Sequence, residues 1–381
     1  MHGPARRTAI LEVMRTPSLL LAPAALAATA FAGLGSLVAD QVVEVRRRPR
    51  YPHRVLAVDG DRVTLKRNRG TERVGTYGLA FPGGHAVAGD VVERTPDVVV
   101  RPVVRVDSGT LAPGRVALDH VDVGDPATAF ALDFAEVELH SDVGTLPAWE
   151  VPADGDTWVV VVHGYGGTRS SALSFLPMLH DLGLPVIVPA YRNDPDAPAS
   201  PDRRYHLGAT EWRDVDAAIA YAVTRGATRV VLYGWSMGGA IVLQTWAQSA
   251  HRPLVAALVL DAPVVDWRAV LLHLGRRRHI PLTLVRYAMR LVERRIAVDF
   301  DDLDWLSRAA ELDVPVLVVH GDDDLTVPCE PSRQLARRRP DLVALHVVAG
   351  AGHVGSWNVD PHGYARDVAA FLLPLLARAP A

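Results

Sequence analysis

The feature that most constrains the fold is a short apolar run that leads directly into a glycine-flanked serine. Residues 229–233 read Arg-Val-Val-Leu-Tyr, and Gly-Trp-Ser236-Met-Gly-Gly follows them. A strand that enters Gly-x-Ser-x-Gly and leaves as a helix is typical of the sharp turn that presents a nucleophilic serine. Glycine is needed because such a turn brings strained backbone angles and close approaches. The pattern alone is weak, since a chain of this length carries it by chance about one time in eight.

Three further apolar runs end in residues that suit the same chemistry. Residues 157–162 precede His163-Gly-Tyr-Gly-Gly, residues 314–319 precede His-Gly-Asp-Asp-Asp324, and residues 345–348 precede Ala-Gly-Ala-Gly-His353. Serine, acid and histidine therefore occur in that order, each at the carboxyl end of a predicted strand. Open α/β sheets bind their ligands at that edge, so the sequence predicts one site there.

On these residues, the chain from Ala129 to the C-terminus resembles the α/β-hydrolase superfamily. More narrowly, it is similar to bacterial membrane-associated serine hydrolases that carry an N-terminal hydrophobic segment. The resemblance implies an α/β fold with a mostly parallel central sheet and helices on both faces. It places the catalytic domain at 129–381, with a helical cap at about 264–310.

The resemblance also assigns roles to single residues. Ser236 is implied as the nucleophile, Asp324 as the acid and His353 as the base, with the backbone N–H groups of Tyr165 and Met237 as the oxyanion hole. The expected reaction is cleavage of a carboxylic ester through an acyl-enzyme. A peptidase or thioesterase would use the same triad, and a non-catalytic binding protein could retain the scaffold, so these alternatives stay open.

The acid is the least certain of these assignments. Asp322 and Asp323 lie beside Asp324, and turn aspartates commonly accept hydrogen bonds from their own loop. Asp261 and Asp266 follow another predicted strand and are the remaining candidates.

The N-terminal segment of residues 1–45 carries no charged residue from Thr16 to Ala39. At about 1.5 Å per residue, a helix over 16–39 could cross a hydrocarbon core of about 30 Å. We therefore expect membrane association through a single N-terminal span, on an undetermined side. A cleaved secretory signal, which would make the protein secreted, and a soluble packing helix are the alternatives.

Residues 54–126 differ in pattern from the catalytic domain, because short β-rich runs alternate there with turn residues. Val58-Asp-Gly-Asp61 is a strong hairpin signal, and no helical periodicity is present. We predict a small β-rich module whose role is packing against the catalytic domain, shaping the substrate entrance or contacting a partner.

Strands and helices alternate through the rest of the chain. Strands are predicted at 157–163, 185–190, 229–234, 255–261, 314–320 and 344–348, and helices at 170–181, 210–225, 238–249, 332–339 and 363–377. Within the cap, several apolar side chains could line an acyl pocket or simply form core: Leu271, Leu272, Leu274, Leu282, Leu284 and Met289.

The composition limits the classes of partner and cofactor that the sequence predicts. The net charge of −3 gives no electrostatic reason to expect nucleic-acid binding. The single cysteine excludes an intramolecular disulfide and a cysteine metal cluster. We therefore predict no metal and no cofactor, and a small-molecule or lipid ester as the substrate; oligomeric state is not predicted.

Overall fold

The computed structural model describes residues 18–45 and 50–377, with the side chains of 18–25 and 27 left out. The helices are α1 Ser18–Val43, α2 Pro126–Phe130, α3 Leu176–Asp181, α4 Trp212–Thr224, α5 Met237–Gln248, α6 Trp267–Arg277, α7 Leu282–Ile296, α8 Cys329–Arg338, α9 Ser356–Val359 and α10 Pro361–Leu376. The strands are β1 His53–Asp59, β2 Arg62–Lys66, β3 Tyr77–Phe81, β4 Gly84–Ala88, β5 Glu93–Arg94, β6 Val98–Ser108, β7 Gly114–Asp119, β8 Ala135–Ser141, β9 Gly144–Val151, β10 Thr157–Val162, β11 Val186–Pro189, β12 Arg229–Trp235, β13 Val255–Asp261, β14 Val316–Gly321 and β15 Val343–Val348.

The larger sheet is built from eight strands in the order β15-β14-β13-β12-β10-β11-β9-β8. The six strands from β15 to β11 pair in parallel, and β9 joins them antiparallel at β11. All six residues of β10 are buried, as expected of a strand covered on both faces. The predicted mostly parallel sheet is confirmed, and its strands lie within a few residues of the predicted ranges.

Helices cover both faces of this sheet and define two cores. Helices α4, α5 and α8, with the cap helices α6 and α7, enclose one core, and α3 and α10 enclose the other. The predicted helix at 170–181 differs slightly, because its first part, Arg169–Phe175, is a 3-10 helix that continues into α3. The α/β-hydrolase architecture with a helical cap is therefore confirmed.

Strands β1 to β7 form a separate antiparallel sheet. Its order is β2-β1-β7-β3-β4-β6-β5, and β2 also pairs with β6, which closes the sheet on itself around an apolar core. The predicted hairpin joins β1 to β2, with Asp59 opposite Arg62. A small β-rich module thus precedes the hydrolase domain, and residues 53–119 are called the β module below.

Helix α1 lies against the cap helix α7. A Cβ at Gly35 would fall 2.4 Å from the Tyr287 ring, so glycine allows the two helices to approach closely here. The Arg295 guanidinium donates to the Ser36 carbonyl at 2.9 Å and pairs with Asp40 at 3.0 Å. The C-terminal half of α1 is thereby joined to the catalytic domain.

The predicted membrane span at 16–39 overlaps α1, although its first two residues lie outside the described part. Among the helices of residues 18–45 and 50–377, none combines the length and the apolar character needed to cross a membrane. The structure therefore does not support the predicted span.

Candidate active site

Ser236 occupies a strained turn between β12 and α5. Its φ is 55° and its ψ is −121°, a conformation that residues with side chains rarely adopt. A Cβ at Gly238 would lie 2.3 Å from the carbonyl oxygen of Val162, so only glycine lets the first turn of α5 pass this close to β10. The turn raises the serine side chain above the carboxyl edge of the sheet.

Three of the predicted site residues form one hydrogen-bonded chain. His353 Nε2 lies 2.8 Å from Ser236 Oγ, and His353 Nδ1 lies 2.7 Å from Asp324 Oδ2. The loops after β12, β14 and β15 supply one residue each, so strands that are distant in sequence converge at the same sheet edge. In this geometry an imidazole can accept the serine proton while a carboxylate fixes its tautomer.

Asp324 is held in place by its own turn. Its Oδ1 accepts hydrogen bonds from the backbone N–H groups of Thr326 at 2.8 Å and Val327 at 2.9 Å. Burial alone would raise the pKa of Asp324, but the charge of His353 and hydrogen bonds from His320 and His353 hold that pKa well below its ordinary value. The carboxyl is therefore ionised at neutral pH.

The other candidate acids do not contact His353 in the described part of the chain. Asp322 is exposed and accepts a hydrogen bond from the Gly350 N–H at 2.7 Å, and Asp323 is exposed as well. Asp266 caps α6 by accepting from the Ala269 N–H at 3.1 Å. Asp261 is fully buried at the end of β13.

Asp261 is instead a buried carboxyl with an unusual pKa. Among the described residues, no hydrogen bond of ordinary geometry reaches either of its oxygens. Burial raises the pKa of Asp261 to about 7, with a smaller increase from Asp324 and opposing contributions from Tyr364 and His320. The ordinary pKa of an aspartate in the unfolded chain is about 3.9. Between these two pKa values, the folded protein therefore holds a proton on Asp261 that the unfolded chain has released.

We expect Asp261→Asn to remove a pH dependence of stability. Between pH 4 and 7 the folded wild type binds more protons at this site than the unfolded chain, so its free energy of unfolding falls as pH rises. Relative to the variant, the loss should reach a few kcal/mol near pH 7, at about 1.4 kcal/mol per pKa unit, and then level off. Urea unfolding midpoints from pH 4 to 8, with Asp154→Asn at an exposed position as the comparison, measure it. A difference that is constant with pH would contradict the expectation.

The loop after β10 brings Tyr165 to the serine. A Cβ at Gly164 would lie only 3.0 Å from Ser236 Cβ, so this loop runs directly beside the turn. Tyr165 and Met237 line the same cavity as Ser236 and His353. The two predicted oxyanion residues therefore lie at the same cavity as the serine.

A buried histidine supports this loop. His163 Nε2 lies 2.8 Å from Asp194 Oδ2, and its Nδ1 lies 3.0 Å from the carbonyl oxygen of Gly164. The Gly164 carbonyl accepts from Nδ1, and the Asp194 carboxyl shares a hydrogen bond with Nε2, so both ring nitrogens are engaged. Although burial opposes the charge, Asp194 raises the pKa of His163. Tyr191 donates to the same Gly164 carbonyl at 3.0 Å, which fixes the loop further.

A cavity of about 400 Å³ opens on the serine. Among the described residues of its lining, Arg278, which is exposed, is the one arginine, and the lining includes no lysine, aspartate or glutamate. The lining comprises Val38, Gln41, Val42, Tyr165, Ser236, Met237, Val264, Trp267, Val270, Leu271, Leu274, Gly275, Arg278, Ile280, Val285, Ala288, Met289, Thr326, Val327 and His353.

The cap and α1 supply most of this apolar wall. Of the cap residues proposed from the sequence, Leu271, Leu274 and Met289 lie on the cavity, whereas Leu272, Leu282 and Leu284 are absent from its lining. Sequence reasoning gave no site role to α1, which contributes Val38, Gln41 and Val42. No local signal could have revealed this, because the contact depends on how α1 packs against helices more than 200 residues away.

Two family sequence models match the chain. The model of the prolyl oligopeptidase family matches residues 182–378. A second model, described as a domain of unknown function, matches residues 54–119, which fall in the β module.

Two of the relatives match about half of this chain each. An uncharacterized protein of Mycobacterium tuberculosis is 30% identical over 203 residues, covering 51% of this chain and 62% of that protein. Protein ABHD12B of Homo sapiens is 29% identical over 193 residues, covering 48% of this chain and 49% of that protein. The chain thus spans less than two thirds of the length of either relative.

Solved structures share the fold. The esterase Pf2001 of Pyrococcus furiosus superimposes with a TM-score of 0.54 and 17% identity, covering 67% of this chain and 96% of the esterase. At this identity the likeness concerns the fold alone.

Proposed function

We propose, from the premise that the chain belongs to the prolyl oligopeptidase family of serine hydrolases, that it hydrolyses carboxylic esters through an acyl-enzyme on Ser236. His353 removes the proton from Ser236 Oγ, 2.8 Å away, as the oxygen attacks the ester carbonyl. The protonated imidazole then gives the proton to the leaving alcohol, and Asp324 stabilises the transient positive charge. The N–H groups of Tyr165 and Met237 bind the oxyanion. Water, activated by the same histidine, releases the acid.

The observation that carries the ester proposal is the apolar cavity beside the serine. Its volume of about 400 Å³ is typical of a small-molecule site. Aliphatic side chains of α1, α6 and α7 dominate its wall, which suits the hydrocarbon part of an acyl group. A peptide would instead call for a row of main-chain hydrogen-bonding partners, and polar groups are few in this lining.

Hydrolysis of p-nitrophenyl esters from acetyl to palmitoyl tests the proposal. We expect turnover that increases with acyl length until the cavity is filled. An optimum at the longest chains would identify a lipid ester as the substrate, and an optimum at short chains a small soluble ester. Lack of turnover on every ester by correctly folded protein would contradict the proposal.

Ala288→Phe should shift this acyl preference. Ala288 is buried on α7 and lines the cavity, so a phenyl ring there occupies volume that the acyl chain needs. We expect kcat/KM for the best long ester to fall about tenfold or more relative to the acetyl ester. The acetyl rate reports correct folding, and Arg286→Phe, on the exposed side of the same helix, is the matched control. Equal losses on all esters would mean that this cavity does not hold the acyl group.

Peptide hydrolysis is the second candidate, and the family match favours it. Assays of peptide p-nitroanilides with the same protein preparation distinguish peptide hydrolysis from ester hydrolysis. A kcat/KM on a peptide that exceeds every ester value would transfer the assignment to a peptidase with the same triad. Absence of both activities together with failure to react with a fluorophosphonate would indicate a binding protein on a hydrolase scaffold.

A further inference from the structure

The β module contacts the loop that carries His353. Its segment 71–76, called the module loop, lies between β2 and β3 and rests on residues 349–359, called the histidine loop. The Thr76 N–H donates to the Asn358 carbonyl at 3.0 Å, and the Asn358 side-chain amide donates back to the Thr76 carbonyl at 2.7 Å. A Cβ at Gly352 would lie 3.3 Å from Arg73 Nε, so the Arg73 side chain lies beside the residue before His353.

Gly75 shows how close this contact is. Its φ is 101°, and a Cβ there would fall 2.2 Å from the carbonyl oxygen of Asn358. The two backbones therefore touch at a point where a side chain cannot fit. At Gly75, therefore, the module loop meets the histidine loop through its backbone.

A buried arginine shapes the module loop. Arg101 on β6 is fully buried, and its guanidinium donates to the carbonyl groups of Gly75 at 2.9 Å, Gly89 at 2.8 Å and Thr71 at 3.1 Å, and also to that of Arg73. Three of these four acceptors belong to the module loop. Because a guanidinium holds its donors in one plane, Arg101 fixes the loop in a single conformation.

The histidine loop needs such support because its backbone is strained. Val354, the residue after His353, has a φ of 49°. A β-branched residue is a genuine outlier there, and it keeps this conformation only when its surroundings enforce it. On one side, the loop that carries Asp324 holds the histidine loop: the Asp322 carboxylate accepts from the Gly350 N–H, and the Asp323 N–H donates to the Ala351 carbonyl. On the other side, the module loop holds Asn358.

We propose that the β module is a positioning element that clamps the histidine loop and thereby keeps His353 in line between Ser236 and Asp324. Loosening the clamp lets Val354 relax, which displaces the imidazole from the serine oxygen. Misplacement of a catalytic group by about 1 Å can cost about a hundredfold in rate, so the clamp acts on turnover rather than on substrate binding. This inference rests on the proposed function, because it gives His353 the role of the base.

Gly75→Ala tests the clamp, with Gly83→Ala as its matched control. Both glycines belong to the β module and have positive φ, but a Cβ at Gly83 would meet no atom within 4 Å. For Gly75→Ala we expect kcat on a p-nitrophenyl ester to fall about ten- to a hundredfold with KM unchanged. The rate of fluorophosphonate labelling should fall in parallel, while its end point stays at one label per chain. Gly83→Ala should keep the wild-type values.

The outcomes separate the clamp from mere stabilisation and from the proposed function. A lower labelling end point with wild-type kcat per labelled site would show that the module only stabilises the fold and would overturn the clamp, as would unchanged kinetics in Gly75→Ala. If the wild type itself does not react with the probe, the proposed function fails first.

A second pair of variants guards against misfolding of Gly75→Ala. Arg101→Met removes the hydrogen bonds that shape the module loop without touching the interface, and Arg115→Met makes the same change at an exposed position on β7. We expect the same fall in kcat at constant KM for Arg101→Met but not for Arg115→Met. Arg101→Lys should recover part of the lost kcat. Equal behaviour of the two methionine variants would contradict the inference.

Discussion

Ser236→Ala is expected to lower kcat for ester hydrolysis by about 10⁴- to 10⁶-fold. The hydroxyl is the atom that would bond to the acyl carbon, and among the described residues its Oγ is the one that hydrogen bonds to His353 Nε2, at 2.8 Å. Loss of the nucleophile leaves only the oxyanion site and substrate binding, which account for the residual rate. Initial rates on the preferred p-nitrophenyl ester measure the effect.

Ser307→Ala is the matched control for that substitution. Ser307 is exposed and donates to Asp304 at 2.6 Å, in a segment that does not line the cavity. Its rate should equal that of the wild type. A Ser236→Ala variant that keeps more than about a hundredth of the wild-type rate would contradict the acyl-enzyme route, because loss of a serine nucleophile is expected to cost far more than that.

Asp324→Asn is expected to lower kcat by about 10⁴-fold while the fold is kept. The carboxylate accepts from His353 Nδ1 at 2.7 Å and so leaves Nε2 free to receive the serine proton. An amide at this position can present its N–H₂ to Nδ1, which reverses the tautomer and removes the charge that stabilises the imidazolium. Steady-state kinetics, with circular dichroism as the check on folding, measure the effect.

Asp322→Asn separates the acid from its neighbour. Asp322 lies two residues earlier in the same turn, but it is exposed, and its carboxylate accepts a hydrogen bond from the Gly350 N–H at 2.7 Å. We expect its loss to change kcat far less than the loss of Asp324. A larger loss at Asp322 than at Asp324 would transfer the role to the neighbour.

The sheet and its helices could be predicted from the sequence because their signals are local. Continuous apolar runs such as 157–162 mark strands buried on both faces, and the alternation with helices implies parallel pairing. The positions of Ser236 and His353 follow from the same logic, since each lies in a glycine-rich loop directly after a strand. A local sequence pattern is therefore sufficient to predict a functional residue that directly follows a strand.

The choice of acid could not be made in this way. Asp322, Asp323 and Asp324 are consecutive, and a shift of one residue along a turn redirects the side chain entirely. In the structure, the N–H groups of Thr326 and Val327 orient the Asp324 carboxyl toward His353. Those bonds depend on the conformation of the turn, which the residue types alone leave open.

The N-terminal helix and the β module show most clearly which contacts cannot be predicted from the sequence. From the sequence, the uncharged run from Thr16 to Ala39 favours a membrane span, with a signal and a packing helix as the alternatives. In the structure, Gly35 and Asp40 meet α7, and no local signal predicts this contact with residues more than 200 positions away. Likewise, the contact between Thr76 and Asn358 joins two irregular loops, which carry no periodic signal.

Reaction of the full-length protein with a fluorophosphonate, located by mass spectrometry of the peptides, tests the central claim most directly. Only a serine activated by a neighbouring base reacts with such a probe at useful rates. We expect one adduct per chain, on the peptide that contains Ser236, with no adduct in Ser236→Ala and a strongly slowed reaction in His353→Ala. An adduct on another serine, or folded wild-type protein that remains unlabelled, would contradict the account.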